Sequence, residues 1–445
     1  MTPKRIFHFI IVIAIAYVAA LCLIISGRAF PMLFAGLFAL PVVFYLARKP
    51  YSFILKAMIA VFFFVPVNAL NILKAINPMT ILGCIVALKL AKKIFVEKKA
   101  GYSRWTIIDS LYFLFLLCAL VSTFSAKSVL GSLNWIFYSV VTGYIVYKIM
   151  SLLDAQEVHR VLRFFVLCAA IEAVYGMFEF FILGKGIVFG YYIGRLTSLL
   201  GHPLVNGLVF ASSLPLCLAL YFETRQKKFL FGSIVILSAV ILTLSRGSWL
   251  ALACGLIFMM LLSPMKIRLK FLGLAIMVMV FSFMTPKINQ LILNRIETNE
   301  ESQYSSFNIR LKSIPIAFEI AKQKPFFGVG PFNASRHKEE ARATLTIRHT
   351  SFENTYLGFL IDLGLVGVAV LALLVIAVFM IALFRTPPAE FQSAHRVAAL
   401  TAFFIFLINI ATFNFDSYRT FHFIAWFYIS LNLAMAGYIG KKASQ

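Results

Sequence analysis

Read from the N-terminus, the chain is a succession of apolar runs separated by short polar breaks. The runs fall at about 6–25, 30–47, 51–70, 78–95, 106–124, 130–150, 161–183, 203–222, 229–244, 248–263, 268–285, 353–384, 395–413 and 421–440. Most carry the roughly 20 residues that an α-helix needs to cross a bilayer, and in hydrocarbon a helix satisfies its own backbone polar groups. The pattern predicts an all-α, polytopic integral membrane protein with 12–14 transmembrane helices. The runs 78–95, 130–150 and 229–244 are short or polar, and merging a pair gives twelve crossings without changing orientation. One polar segment interrupts the pattern, residues 286–352, unusually long for a connection. Its stretch 306–323 has a helical period and is expected to form a helix along the membrane surface. The first run follows Lys4 and Arg5, as a signal peptide would. It lacks a small-residue cleavage site and another apolar run follows at once, so it reads as an uncleaved anchor.

Composition sharpens this picture. Of 445 residues, 61 % are hydrophobic and 13 % charged, too little charge to coat a soluble protein with so much apolar surface to hide. That excludes a soluble enzyme, a disordered chain and a fibrous repeat. The net charge of +24 would suggest nucleic acid in a soluble protein; in a polytopic one it suggests loops beside an anionic inner leaflet. With the N-terminus placed in the cytoplasm, inner loops collect 22 Lys and Arg residues. The short outer loops hold seven: Arg28, Lys74, Lys127, Lys185, Arg195, Arg246 and Arg419. This bias puts both termini in the cytoplasm and residues 286–352 outside it. The chain then divides into N-terminal membrane helices (1–160), membrane helices carrying the outer arginines (161–285), the long extracytoplasmic loop (286–352) and C-terminal membrane helices (353–445). The six cysteines all lie in apolar runs without a CxxC pair and read as small core residues.

Polar residues on the outer face are the candidates for chemistry. Arg195 (GRLTSLLGHPLVNG) and Arg246 (LTLSRGSWLA) sit in short outer loops, against the charge bias, among Gly, Ser and Thr. A guanidinium is a rigid fork of donors suited to phosphate oxygens, so two facing one cavity would grip a pyrophosphate; the plain alternative is interfacial snorkelling. The outer histidines are His202, His337 and His349, with His422 at a helix edge. His349 stands just before a helix returns to the membrane, beside Arg348, Glu353, Asn354 and Tyr356, where a neutral imidazole can take a proton from a hydroxyl. Nothing has the spacing of a metal site, so no metal and no cofactor is expected. GVGPF at 328–332 lacks the Lys-Ser/Thr of a nucleotide loop, and no G-x-S-x-G elbow occurs. Glu172 and Glu179 share one face of their run and mark either an ion path or hydrogen bonds to a neighbouring helix. Asp362 follows Asn354 by eight residues and is expected to hold that helix in register.

Four stretches together resemble the O-antigen ligase and O-antigen polymerase superfamily, over roughly residues 160–385. RLTSLLGHPLVNG (Arg195–Gly207) resembles its Arg-containing outer loop, and LTLSRGSWLALACGLI (Leu242–Ile257) its Ser-Arg-Gly/Ser helix start. NIRLKSIPIAFEIAKQKPFFGVGPFN (Asn308–Asn333) is similar to its loop helix with Arg310 and the Gly-x-Gly that follows. HTSFENTYLGFLIDLGLVG (His349–Gly367) resembles its His/Asn-Thr-Tyr-Leu helix and Gly-hydrophobic-hydrophobic-Gly end.

The resemblance implies a membrane glycosyltransferase, metal-independent and inverting, on the outer face of the bacterial cytoplasmic (inner) membrane. The donor would be a glycan on undecaprenyl pyrophosphate; the acceptor would be lipid A-core for a ligase or a second lipid-linked glycan for a polymerase. It assigns pyrophosphate binding to Arg195, Arg246 and Arg310, and activation of the acceptor hydroxyl to His349. His202, Asn206, Ser245, Asn354 and Tyr356 would support the site. Many members place His directly before the Asn; here Glu353 stands there and His349 is five residues earlier, so the base is His349, Glu353 or both in sequence. The alternative of a different class is a transporter such as a lipid-linked oligosaccharide flippase. It draws on Glu172 and Glu179 and is opposed by the lack of a visible two-fold repeat.

The topology is directly testable. Cysteines introduced at Ser302 and Lys338 are expected to react with an impermeant maleimide in spheroplasts. Protection of both until the membrane is permeabilised would reverse the orientation.

Overall fold

The computed structural model describes residues 45–66, 77–92, 105–184, 194–263, 306–337, 352, 354–385, 393–414 and 421–440. The first two apolar runs, the run at 268–285 and much of 286–352 lie outside them, including Ser302 and Lys338. Among the described residues all regular structure is helical. The helices are α1 (Tyr51–Phe64), α2 (Pro78–Ala91), α3 (Ile107–Thr123), α4 (Val129–Tyr138), α5 (Ile145–Met150), α6 (Ala155–Phe178), α7 (Pro203–Thr224), α8 (Lys227–Leu242), α9 (Arg246–Leu262), α10 (Ser306–Gln323), α11 (Thr355–Phe384), α12 (Ser393–Ile410) and α13 (Phe421–Met435). A π-helical stretch, Ser139–Tyr144, joins α4 to α5, and a second, Glu179–Leu183, extends α6. Among the described residues, four continuous helical segments are long and apolar enough to cross a membrane: Val129–Met150, Ala155–Leu183, Pro203–Thr224 and Thr355–Phe384. Shorter apolar helices accompany them.

Sequence sets where these helices start. Thr106 with Asp109, and Asp154 with Glu157, form reciprocal capping boxes at α3 and α6, each filling N–H groups that the first turn leaves unpaired. α7 begins with Pro203, whose missing N–H costs nothing at the first helical position. It is apolar on every side, and each residue from Val205 to Leu220 is buried, the mark of a helix enclosed by others. α6, α8, α9 and α12 pack around it.

The two ends of the bundle differ in chemistry. At one end, basic side chains close helix termini. Arg396 donates to the carbonyls of Ala382 and Leu383 at the end of α11. Lys148 meets Asp109 at 2.5 Å, and Lys89 donates to the Lys49 carbonyl at 2.6 Å. At the other end lie Arg195, Arg246 and the start of α11.

The run 353–384, read as one crossing, is divided. Gly364 takes φ 65°, ψ −173° inside α11, a conformation open essentially to glycine. The break leaves Leu365–Phe384 as 20 residues, about 30 Å of helix, one hydrocarbon thickness. It also exposes backbone that the 325–330 segment pairs with, strand-fashion. Leu365 N donates to Pro325 O (2.8 Å), Val366 N to Phe326 O (3.1 Å), Val329 N to Ile361 O (2.9 Å) and Gly330 N to Asp362 O (3.0 Å). The approach is so close that a Cβ on Gly364 would lie 2.5 Å from the Phe326 backbone, and one on Gly328 2.5 Å from that of Asp362. GVGPF is therefore a docking loop. α10 occupies 306–323 as its period predicts and packs on α11 through Ile316, Ala317 and Ile320, against Phe352 and Ile361.

Asp362 does not hold its own helix in register. Its carboxylate accepts from the backbone N–H groups of Phe332 (2.8 Å), Asn333 (3.0 Å) and Ala334 (2.6 Å). It is 3 % exposed, so truncation would leave three backbone donors without their acceptor, two of them buried. Asp362→Ala is expected to cost at least about 2 kcal/mol and to open the 325–334 loop to protease in detergent solution. A loop as resistant as wild type would show that the glycine pairing alone holds it.

Candidate active site

The segment carrying Arg195 is fixed from below and from the side. From below, two buried carboxylates of α6 and its extension receive it. Thr197 donates its hydroxyl to Glu179 Oε2 (3.3 Å), and Leu200 N donates to Glu172 Oε1 (3.3 Å). From the side, Asn206 of α7 donates to the carbonyls of Thr197 and His202 and accepts from Ser198 Oγ at 2.6 Å. Ser198 is held at φ 50°, an αL position that non-glycine residues occupy at a cost. Glu172 and Glu179 thus serve hydrogen bonding, the second of the two roles open to them.

The segment carrying Arg246 is bound to the first. Leu196 N donates to Leu242 O at 2.9 Å, and Arg195 Nε donates to Thr243 O at 3.0 Å, three residues before Arg246. Leu244 has φ 50°; the chain turns there and enters α9 with Ser245 as N-cap, its hydroxyl accepting from Ser248 N. Arg246 is the first helical residue and is half-buried. No carboxylate or other hydrogen-bonding partner meets its guanidinium among the described residues. Glycines let the helices close: a Cβ on Gly207 of α7 would lie 2.3 Å from Ser248 Oγ, and one on Gly247 2.3 Å from Thr412 Oγ1.

Residues 411–414 join these two helices to a third. The His202 ring stacks on Phe413 at 4.9 Å between centroids, Thr412 abuts Gly247, and Thr355 Oγ1 donates to Phe413 O at 2.8 Å. The N-termini of α7, α9 and α11 therefore meet at one place. Their caps are His202 Nδ1, Ser245 and Asn354, and none has an acidic residue in its first turn. Helix N-termini present unpaired N–H groups and partial positive charge. With two arginines added, positive charge is concentrated at this place.

An apolar cavity of about 290 Å³ opens beside the start of α11. Tyr356, Phe359, Trp135, Leu371 and Trp426 are among the residues lining it. Tyr356 donates its hydroxyl to Leu407 O at 2.8 Å. The structure thus brings Arg195, Arg246, His202, Asn206, Ser245 and Asn354 together and sets Tyr356 at the cavity. Arg310 stands on α10, half-buried, with no described contact to either arginine segment. His349 and Glu353 lie outside the described residues. Their flanks are fixed: Phe352 is buried against Ile361, and Asn354 accepts from Tyr356 N and Leu357 N. Thr412 and Phe413 escaped the sequence reading because they bear no chemistry of their own.

One comparison with protein families bears on the class. Residues 231–372 match the O-antigen ligase family model. The match spans α8, α9, α10 and the first part of α11, hence Arg246, the docking loop and the Asn354 cap. It supports the O-antigen ligase and polymerase superfamily, and with it a membrane glycosyltransferase of that general type. No curated protein matches the chain.

His202 supplies a test of this geometry. Burial, with the Arg195 charge adding to it, pushes its pKa down from 6.5 to about 3. The folded protein then binds fewer protons here than the unfolded chain between those values, so stability rises with pH over that window and is lost as pH falls through it. His202→Asn keeps a strong helix cap and is expected to flatten the loss of thermal stability between pH 6.5 and 4. An unchanged slope would mean that His202 is not shielded.

Proposed function

We propose that the chain transfers a glycan from undecaprenyl pyrophosphate to a hydroxyl acceptor at the outer face of the cytoplasmic membrane, without a metal and with inversion. The acceptor is lipid A-core in the ligase form of this reading or a second lipid-linked glycan in the polymerase form. The observation that carries the proposal is the direct joining of the Arg195 and Arg246 segments at three helix N-termini. It is a dianion site at the mouth of a membrane bundle, beside an apolar cavity suited to part of a polyprenyl tail.

In this reading the acceptor oxygen attacks the anomeric carbon. The bond from that carbon to the pyrophosphate oxygen breaks, and undecaprenyl pyrophosphate leaves with both bonding electrons. Arg195, Arg246 and, from the loop helix, Arg310 neutralise the charge that grows on the leaving group, where fixed donors act most strongly. The acceptor proton passes to His349 or Glu353. A donor already bearing pyrophosphate needs no nucleotide. The carrier reading is weakened, because both carboxylates it relied on are engaged in holding the Arg195 segment.

One transfer assay with purified lipid-linked donor tests the assignments. Arg195→Ala and Arg246→Ala are each expected to lose about ten- to a hundredfold, the worth of one charge-assisted contact. Arg246→Lys should recover only part, having lost the fork. His349→Ala should lose at least about a hundredfold, with donor binding retained; comparison with Glu353→Gln across pH 5.5–8.5 identifies the base. Near-normal transfer by Arg246→Ala would return that residue to snorkelling, and full activity in both loop variants would remove the base from this segment.

A further inference from the structure

At the end of the bundle remote from the arginines, three residues distant in sequence converge. His159 lies in the first turns of α6, Glu223 at the end of α7 and His395 at the start of α12. One ligand atom from each lies within 4.8 Å of the other two. The imidazole of His395 is buried and meets that of His159 edge-to-face at 5.0 Å. Its Nε2 lies 3.1 Å from Glu223 Oε2, yet the two are not aligned as a hydrogen bond, and His395 Nδ1 also has no hydrogen-bond partner among the described residues. Buried polar atoms left in this state call for a water or an ion.

We infer that His159, Glu223 and His395 form a binding site for a divalent transition metal, with Zn²⁺ the best match. Two imidazoles and one carboxylate are a common zinc donor set that leaves a fourth position open. Donors around a tetrahedral zinc at about 2.0–2.2 Å stand about 3.3–3.6 Å apart, so small side-chain rotations close the cluster. The Glu223 side chain is 19 % exposed, which provides the entry path and room for a water. Arg163, 3.9 Å from Glu223 and itself 47 % exposed, is the cation the metal would displace, and it is free to swing outward. Glu223 stands twenty residues along α7 from Pro203, about 30 Å from the arginine segments. The ion therefore takes no part in glycan transfer. It would tie together the far ends of α6, α7 and α12, the helices that carry Glu172, Asn206 and the 411–414 turn at the other end.

The test uses the full chain in detergent, carrying a tag free of His and Cys, stripped with chelator and titrated with Co²⁺. The expected result is one equivalent bound with the visible absorption of a four-coordinate ion, displaced by Zn²⁺, and a higher unfolding temperature with Zn²⁺ present. His395→Ala and the near-isosteric Glu223→Gln should each weaken binding at least about tenfold. His337→Ala, a half-buried histidine elsewhere, should leave it intact. If His395→Ala does not fold, Glu223→Gln and His159→Gln decide the matter. A stripped wild-type protein that takes up no Co²⁺, or uptake unchanged in the folded Glu223→Gln and His159→Gln variants, overturns the proposal.

Discussion

The arginine-bearing end of this bundle depends on one hydrogen-bonded joint, Leu196 N to Leu242 O with Arg195 Nε to Thr243 O. Polar loops at a membrane boundary carry backbone groups that lose water without gaining a helix, and each unpaired group is costly. Here the two arginine loops solve that problem for each other. What the pair cannot satisfy internally is taken up from below by Glu172 and Glu179 and from the side by Asn206. Strained residues at Ser198 and Leu244 are the cost of bending both chains tightly enough to meet. Structures hold such residues only where the surroundings over-determine them, and these surroundings do.

Electrostatics gives the joint its direction. An arginine at the first position of a helix faces the positive end of the macrodipole and is unfavourable there by itself. Arg246 occupies that position, and no carboxylate among the described residues relieves it. The first turns of α7 and α11 likewise carry no acid. Packing alone does not reward three positive helix ends brought to one point. An anion does, and it gains most where water is scarce. The same field explains why His202 caps α7 as a neutral ring: its nitrogen accepts from Leu204 N at 3.1 Å, which an imidazolium could not do.

How much of this was legible in the sequence follows from which features are local. Hydropathy runs marked the long apolar helices, such as Pro203–Thr224 and Thr355–Phe384, because hydropathy is a property of a segment by itself. The four motif stretches singled out the arginines as a set worth explaining. What they did not disclose is that they fit one another. PFFGVG and IDLGLVG are complementary surfaces, with Gly328 and Gly364 each letting the other segment's backbone approach. Glu172 leaves two roles open in the sequence because a buried carboxylate reads the same whether it meets an ion or a loop amide. Asp362 was assigned to its own helix because the break at Gly364 leaves no trace in hydropathy; Gly in so apolar a run reads as packing. The cluster of His159, Glu223 and His395 was beyond reach for the same reason, since no spacing rule links residues on three helices.

The break at Gly364 also bears on how a lipid-linked substrate would be met. A straight α11 would present one face to its neighbours along its whole length. Divided at Gly364, it lines the cavity with Tyr356 and Phe359 from the part before the break and with Val368 and Leu371 from the part after it. At about 290 Å³ the cavity is at the small end for ligand sites, too small to enclose a long prenyl chain. The proposed donor would therefore keep most of its tail in the bilayer and commit only the isoprene units next to its pyrophosphate. That division of labour suits the proposed reaction, in which the spent carrier must leave after each transfer. A deep apolar site would hold the spent carrier as tightly as the loaded one, whereas contacts at the charged head change with the chemistry. Discrimination then rests where the protein has concentrated its fixed charge, at the meeting of α7, α9 and α11.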